Sequence, residues 1–316
     1  MKIRSITLPT PFYIGPVNVY LIEEDPITLI DTGPKTKEAY EALRDGLRQS
    51  GLRVSDIKRI LLTHTHEDHF GLARKLLDEA GAASVYIHPW ESGHLARDGY
   101  EPYVELLVRA GLPNDVIEEM RGVYNSFHGF ADSLEDMDVL SMEDEMELEF
   151  ATGSLRVLHT PGHTPGSCVF FRESDRTIFS GDCILKRITP NPILAPDPID
   201  PARRFPSLAE FQVSLARIRE IAPTLIFGGH GDPVNDYEEL FNRYVRQIRE
   251  RQNKTYESLG GDGMTAWQLS LNLFPDAGNV HRFLAVSEAV AHLELAHSEG
   301  KVAVEISGKQ EIYRRI

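Results

Sequence analysis

Apolar residues recur along this chain at two periods, every second position in short runs and every third or fourth in longer ones, and the two kinds of run alternate. The short runs predict strands near 3–8, 18–23 and 27–31, then at 57–63 and over Val85-Tyr86-Ile87-His88. Between them, Tyr40, Leu43 and Leu47 fall at helical spacing and predict a helix from about Lys35 to Ser50, and a second follows from about Leu72 to Ala80. From about 89 to 132 the pattern is helical, with Val104, Leu107 and Val108 in one segment and Val116, Ile117 and Met120 in the next. This insertion reads either as a substrate lid or as a small satellite core. Six prolines between Pro190 and Pro206 then predict a stiff extended loop, followed by a helix from Leu208 to Ile221 with Leu208, Phe211, Leu215 and Ile218 on one face.

Beyond about Asp236 the character changes. A helix from Tyr237 to about Leu259 turns Leu240, Tyr244 and Ile248 inward and Arg243, Arg246, Arg249 and Arg251 largely outward. Gly260-Gly261-Asp262-Gly263 separates it from helices at Thr265–Asn272 and from about His281 to Gly300. Two short strands, Val302–Ile306 and Gln310–Tyr313, flank the turn Ser307-Gly308. The division expected is therefore residues 1–236 and 237–316.

Composition narrows the class. The chain has 316 residues, 41% hydrophobic and 26% charged, which is ordinary for a globular protein of one large and one small domain. No segment approaches the roughly 18 consecutive apolar residues of a spanning helix, so no membrane partner is expected. The N-terminus reads as a first strand and not as a signal peptide. Two cysteines, Cys168 and Cys183, offer no disulfide framework; both read as small buried hydrophobes, and a cytoplasmic location is expected.

The chemistry is concentrated at strand ends. Ile60-Leu61-Leu62 runs into Thr63-His64-Thr65-His66-Glu67-Asp68-His69, three imidazoles and two carboxylates within six residues. On an extended segment His64 and His66 point the same way and can grip one ion, while Asp68 and His69 follow as the chain turns. Imidazole and carboxylate suit borderline divalent ions such as zinc, and accept iron or manganese as well. Three further strand-like runs end in donors: His159 and His163 in a Pro/Gly-punctuated loop, Asp182 after Ser180-Gly181, and His230 after Gly228-Gly229. His88, His94 and His128, in or beside the insertion, read as surface or hydrogen-bonded core residues, and Tyr100, Tyr103 and Tyr124 are candidates to offer a hydroxyl to substrate.

The pattern His-x-His-x-Asp-His, followed by His, Asp and His after successive strands, and the early turn Asp31-Thr32-Gly33, resemble the metallo-β-lactamase superfamily. The resemblance implies an αββα sandwich with the site at one edge, in a mixed α/β (α+β) fold. It implies that His64, His66 and His163 hold one metal, that Asp68, His69 and His230 hold a second, that Asp182 bridges them, and that Asp31 orients a ligand. It further implies a hydrolase in which an ion-activated water attacks a carbonyl or a phosphorus, with Asp68 moving a proton to the leaving group. Carboxylic esters, thioesters or lactones are the substrates expected. The alternatives are endonucleolytic or phosphodiester cleavage of single-stranded RNA and a glyoxalase II-like thioesterase activity.

The three C-terminal helices and hairpin are similar to the winged-helix module of the lactamase-β-like subgroup. From Leu240 onward there are ten Lys/Arg against nine Asp/Glu, while the whole chain carries −15. A phosphate-binding face needs a basic stripe. The third helix instead bears Glu288, Glu294 and Glu299. The module is therefore expected to pack or to form a homodimer, although the arginine row on its first helix leaves an RNA-binding role open. The expected partner is a small-molecule substrate.

Overall fold

The computed structural model describes residues 1–94 and 100–316. The strands are β1 (Ile3–Leu8), β2 (Val17–Ile22), β3 (Thr28–Ile30), β4 (Arg59–Leu61), β5 (Ser84–Ile87), β6 (Val139–Ser141), β7 (Glu147–Phe150), β8 (Gly153–His159), β9 (Cys168–Arg172), β10 (Thr177–Gly181), β11 (Leu225–Gly228), β12 (Val302–Ser307) and β13 (Gln310–Arg315). The helices are α1 (Lys37–Gln49), α2 (Glu67–Phe70), α3 (Ala73–Ala80), α4 (Glu101–Arg109), α5 (Asn114–His128), α6 (Ser207–Ile221), α7 (Tyr237–Ser258), α8 (Ala266–Leu273) and α9 (Asn279–Ser298). Strands β1 to β6 form one sheet in sequence order, antiparallel from β1 to β3 and parallel from β3 to β6. The second sheet runs β11-β10-β9-β8-β7, with β10 and β11 parallel and the rest antiparallel.

Alternation within the strands builds the layers, because successive side chains leave a strand on opposite faces. Val17, Val19 and Leu21 of β2 pack with Leu43 and Leu47 of α1 and with Leu76 of α3, while Tyr20 and Ile22 of the same strand face the second sheet. There they meet Val157, Phe170 and Phe179, and Phe171 and Ile178 from the other side of that sheet pack on Phe211 and Leu215 of α6. Four layers in the order helices, sheet, sheet, helices result, the αββα sandwich expected. No helix is long and apolar enough to cross a membrane among the described residues.

The insertion and the C-terminal segment are not separate cores. Tyr100, Leu106 and Ile117 share one cluster with Leu259, Leu269, Val286 and Val290. Tyr237, Leu240, Tyr244 and Ile248 of α7 belong to the cluster beneath the second sheet. Helix α9 is buried on nearly every side from Ala285 to Leu293, between α5, α6, α7 and α8. The insertion therefore packs on the C-terminal helices and not on a core of its own, and the α5 residues Met120, Val123 and Phe127 line the cavity described below.

A buried ion-pair network fastens these parts. Arg204, in the proline-rich loop, donates from Nε to Glu294 of α9 (2.5 Å), and from Nη2 to Glu311 (2.6 Å) and the Tyr313 hydroxyl (3.0 Å) of the hairpin. Arg109 of α4 donates to the other oxygen of Glu311 at 2.7 Å. Removing one partner of such a network strands the remaining charges away from water. Arg204→Ala is expected to destabilise the protein by about 3–5 kcal/mol, read from the urea midpoint, whereas Arg187→Ala, at an exposed pair with Asp232, should shift it by well under about 1 kcal/mol.

Candidate metal centre

Five strand ends converge at one edge of the sandwich. Asp31 ends β3 with a positive φ of 58°, a conformation that Asp tolerates better than most residues. Its carboxylate accepts from the Thr63 amide (2.8 Å) and hydroxyl (2.9 Å) just after β4, and lies 2.8 Å from His69 Nδ1. The turn that carries Asp68 and His69 is a single helical turn, α2, following His66. His163 comes from the loop after β8, Asp182 follows β10, and His230 follows β11. Gly229 allows the last approach: a Cβ there would stand 2.4 Å from Asp182 Oδ1 and 2.6 Å from the His69 ring.

All seven residues expected at the centre are brought together. His64 Nε2 and His163 Nε2 lie 3.0 Å and 3.1 Å from His66 Nδ1. Two nitrogens on one ion at about 2.1 Å in tetrahedral geometry stand roughly 3.4 Å apart, so rings this close can turn onto a shared cation. Asp68, His69 and His230 form a second group, as do His64, His69 and Asp182. Between the groups, Asp182 lies 3.4 Å from His69 Nε2, 3.6 Å from His230 Nε2 and, by its other oxygen, 3.8 Å from His163 Nε2. His69 Nε2, His230 Nε2 and Asp182 Oδ1 are buried with no hydrogen-bond partner. Orphaned polar atoms converging on one space fit a bound cation.

Electrostatics divide the cluster. Burial, reinforced by neighbouring imidazoles, holds His64 well below the usual range and takes His66 down to about 3; burial also lowers His163. These rings are neutral, the form that binds metal. Burial opposes charge on His69 and His230 too, but the carboxylates of Asp182 and Asp68 outweigh it and raise both. Negative charge thus gathers where the orphaned atoms lie.

The outer nitrogens are fixed by groups that sequence reasoning did not find. His163 Nδ1 lies 3.0 Å from the Asn191 carbonyl, and His230 Nδ1 lies 2.9 Å from the Pro16 carbonyl. Such contacts fix ring orientation. Glu91, fully buried after β5, accepts from the Thr65 amide (2.9 Å) and hydroxyl (2.5 Å) and from the Gly166 amide (2.8 Å). It therefore ties the loop of His64 and His66 to the loop of His163. Backbone carbonyls carry no residue-type signal, and Glu91 sits in no motif.

Of the remaining candidates, His88 stacks on His159 with ring centroids 3.9 Å apart, and His128 Nδ1 lies 3.2 Å from Glu67. The side chain of His94 lies outside the described residues. Cys168 and Cys183 are buried free thiols, and burial pushes Cys183 up to about 12.

The donors form one end of a cavity of about 610 Å³, within the roughly 300–1,000 Å³ of small-molecule sites. Its walls are the segment Phe12-Tyr13-Ile14, the face of α5 that carries Met120, Val123 and Phe127, and the start of α9 at Phe283 and Leu284. Tyr100, Tyr103 and Tyr124 all reach it, and burial raises all three phenols, so they stay protonated. Burial also pushes Glu67, beside the donors, up to about 7. Among the described residues the wall contains no Lys or Arg.

A four-layer sandwich with this donor set at its edge defines a class, the metal-dependent hydrolases of αββα fold. The family model of the metallo-beta-lactamase superfamily matches residues 13–230, and the chain belongs to that superfamily. It is 33% identical over 298 residues to the probable metallo-hydrolase YqjP of Bacillus subtilis, covering 93% of this chain and 92% of that one. The crystal structure of the metallo-beta-lactamase family protein TTHA1429 from Thermus thermophilus superposes with a TM-score of 0.83 at 30% identity, over 99% of this chain and 98% of the other. A more distant relative, an atrochrysone carboxyl ACP thioesterase of Passalora fulva, is 23% identical over 317 residues, covering 96% of this chain and 77% of that protein.

Glu91→Ala would leave two buried amides and a hydroxyl without an acceptor. It is expected to cost about 3 kcal/mol or more in urea unfolding of the metal-free protein, and Glu91→Gln, which keeps one acceptor oxygen, distinctly less.

Proposed function

We propose that the protein is a dinuclear metallohydrolase of carboxylic esters, thioesters or lactones. His64, His66 and His163 hold one divalent ion, Asp68, His69 and His230 hold the other, and Asp182 is shared. The observation that carries this reading is the pair of donor groups joined by Asp182 at the end of a largely apolar cavity whose wall has no Lys or Arg among the described residues. The donor types suit zinc and also accept iron or manganese.

When bound, two close divalent ions supply Lewis acidity and bring the pKa of water from near 16 towards about 7. The chain does the rest. His64, His66 and His163 enter as neutral rings and hold position without competing for protons. Asp68, on the cavity wall with Oδ2 3.3 Å from His230 Nε2, takes the proton released as water adds to the carbonyl carbon and passes it to the leaving oxygen or sulfur. The low polarity of the wall excludes bulk water from the acyl side. The thioesterase named among the relatives acts on a carbonyl, which supports carbonyl chemistry here.

A phosphodiester substrate would bring charge into a wall with no described Lys or Arg, and the third C-terminal helix is packed, not presented to a groove. We read residues 1–236 as the catalytic domain and 237–316 as a winged-helix-like unit that serves packing. The buried free thiols agree with a reducing, cytoplasmic location.

Elemental analysis of the purified wild type should find about two metal ions per chain, with chelator-sensitive turnover of esters or thioesters. Asp182→Ala should lose metal and reduce kcat/KM by roughly a hundredfold or more, and Gly229→Ala, whose methyl group displaces Asp182, should lose metal too. Full metal and activity in Asp182→Ala would refute the dinuclear assignment.

A further inference from the structure

The cavity is more elaborate than ester hydrolysis alone requires. Its mouth is rimmed by large apolar side chains left in water: Tyr13 is 78% exposed and Ile188 47%, with Ile14 and Leu284 beside them. Exposed apolar groups gathered around one opening mark a binding surface for an apolar ligand. Inward from the rim Phe12, Met120, Val123, Phe127 and Ile193 supply apolar wall, with the Glu67–His128 pair beside the donors.

The C-terminal segment builds part of this wall and is fastened to the centre. Phe283 of α9 meets Tyr103 edge-on at 6.0 Å, and Tyr13 packs against His281 at 5.0 Å. Asn191, whose carbonyl faces His163, donates from its amide nitrogen to the Leu284 carbonyl at 3.1 Å and to Glu288 at 3.2 Å. Across the rim at Ile188 and Leu284 a second cleft begins, and its wall includes Arg187, Arg251 and Lys254. The polar side of the opening is therefore separate from the apolar side.

We propose that the apolar cavity is an acyl pocket. Resting on the hydrolase reading above, the substrate is an ester or thioester whose acyl group is a bulky uncharged hydrocarbon, while its polar alcohol or thiol part faces the second cleft. The start of α9 is the specificity wall, a role the C-terminal segment adds to its packing role. Water adds to the carbonyl carbon, the bond to oxygen or sulfur breaks, and the products are the carboxylic acid and the free alcohol or thiol.

The test uses the metal-loaded full-length protein and N-acetylcysteamine thioesters of acetyl, hexanoyl and decanoyl groups. In parallel, calorimetry follows binding of S-decyl-N-acetylcysteamine, a thioether that cannot be hydrolysed. Each methylene that enters the cavity should raise kcat/KM roughly three- to fourfold, so decanoyl, four methylenes longer, should exceed hexanoyl by roughly a hundredfold. Leu284→Glu should weaken thioether binding and decanoyl turnover by roughly tenfold or more, and acetyl turnover by much less, with metal content kept. Turnover with a flat acyl-length profile, or a preference that follows the length of the thiol part instead, overturns the acyl pocket and leaves the hydrolase reading standing. Thioether binding that Leu284→Glu abolishes, without turnover of any ester, supports the pocket and sinks the hydrolase reading. No thioether binding at all overturns the pocket.

Discussion

A single carboxylate holds the centre in register. Asp31 takes a left-handed backbone conformation at the end of β3 so that its side chain can accept from Thr63 after β4 and meet His69 in α2. Three elements are thereby fixed by one residue. With Nδ1 of His69 engaged, Nε2 has one direction left, towards Asp182. The rest of the arrangement follows, because three further imidazoles are held by their outer nitrogens: His64 by the Thr63 hydroxyl, His163 by the Asn191 carbonyl and His230 by the Pro16 carbonyl. Inward-facing atoms are then left without partners, which folding tolerates only if something binds them. A cation that binds the folded state alone stabilises it by mass action, so folding and metal loading are coupled in this arrangement.

The donors were legible in the sequence because they crowd together in one short segment and recur after apolar runs. What surrounds them was not. Glu91 reaches Thr65 and Gly166, far from it along the chain, and Asn191 and Pro16 act through backbone carbonyls that any residue possesses. The αββα order came from the family resemblance of the donor motif, while the alternation of short and long apolar periods placed most individual elements, yet β6, β7 and β9 escaped. Strand β6 is three half-exposed residues, β7 alternates over only four, and β9 is a brief apolar run directly behind the glycine-rich loop. Strands so short owe their existence to the neighbours they pair with.

The C-terminal residues carry nearly balanced charge, and the packing shows where several of their cations go. Several arginines there are already engaged: Arg251 lies over Phe274, Arg282 over Trp267 and Arg315 over Tyr256, at 4.3, 5.5 and 4.2 Å from the ring centres. Arg204, buried among Glu294, Glu311 and Tyr313, spends its charge inside the protein. Helix α9 carries small and apolar residues on almost every side from Ala285 to Leu293, the signature of a helix enclosed by others. Its two ends reach the surface, and the first turns, with His281, Phe283 and Leu284, line the cavity.

That placement links the acidity of the chain to its substrate. The net charge of −15 repels polyanions at long range, and the cavity offers no described cation to recover the loss at short range. An uncharged acyl group meets neither penalty. Its binding energy comes from apolar area removed from water, which is proportional to chain length and indifferent to the sign of the protein's field. The polar work is confined to the few ångströms around the donors, where the carbonyl carbon must lie. The proposed acyl pocket places specificity in the shape and reach of the apolar walls, one of which the C-terminal segment provides.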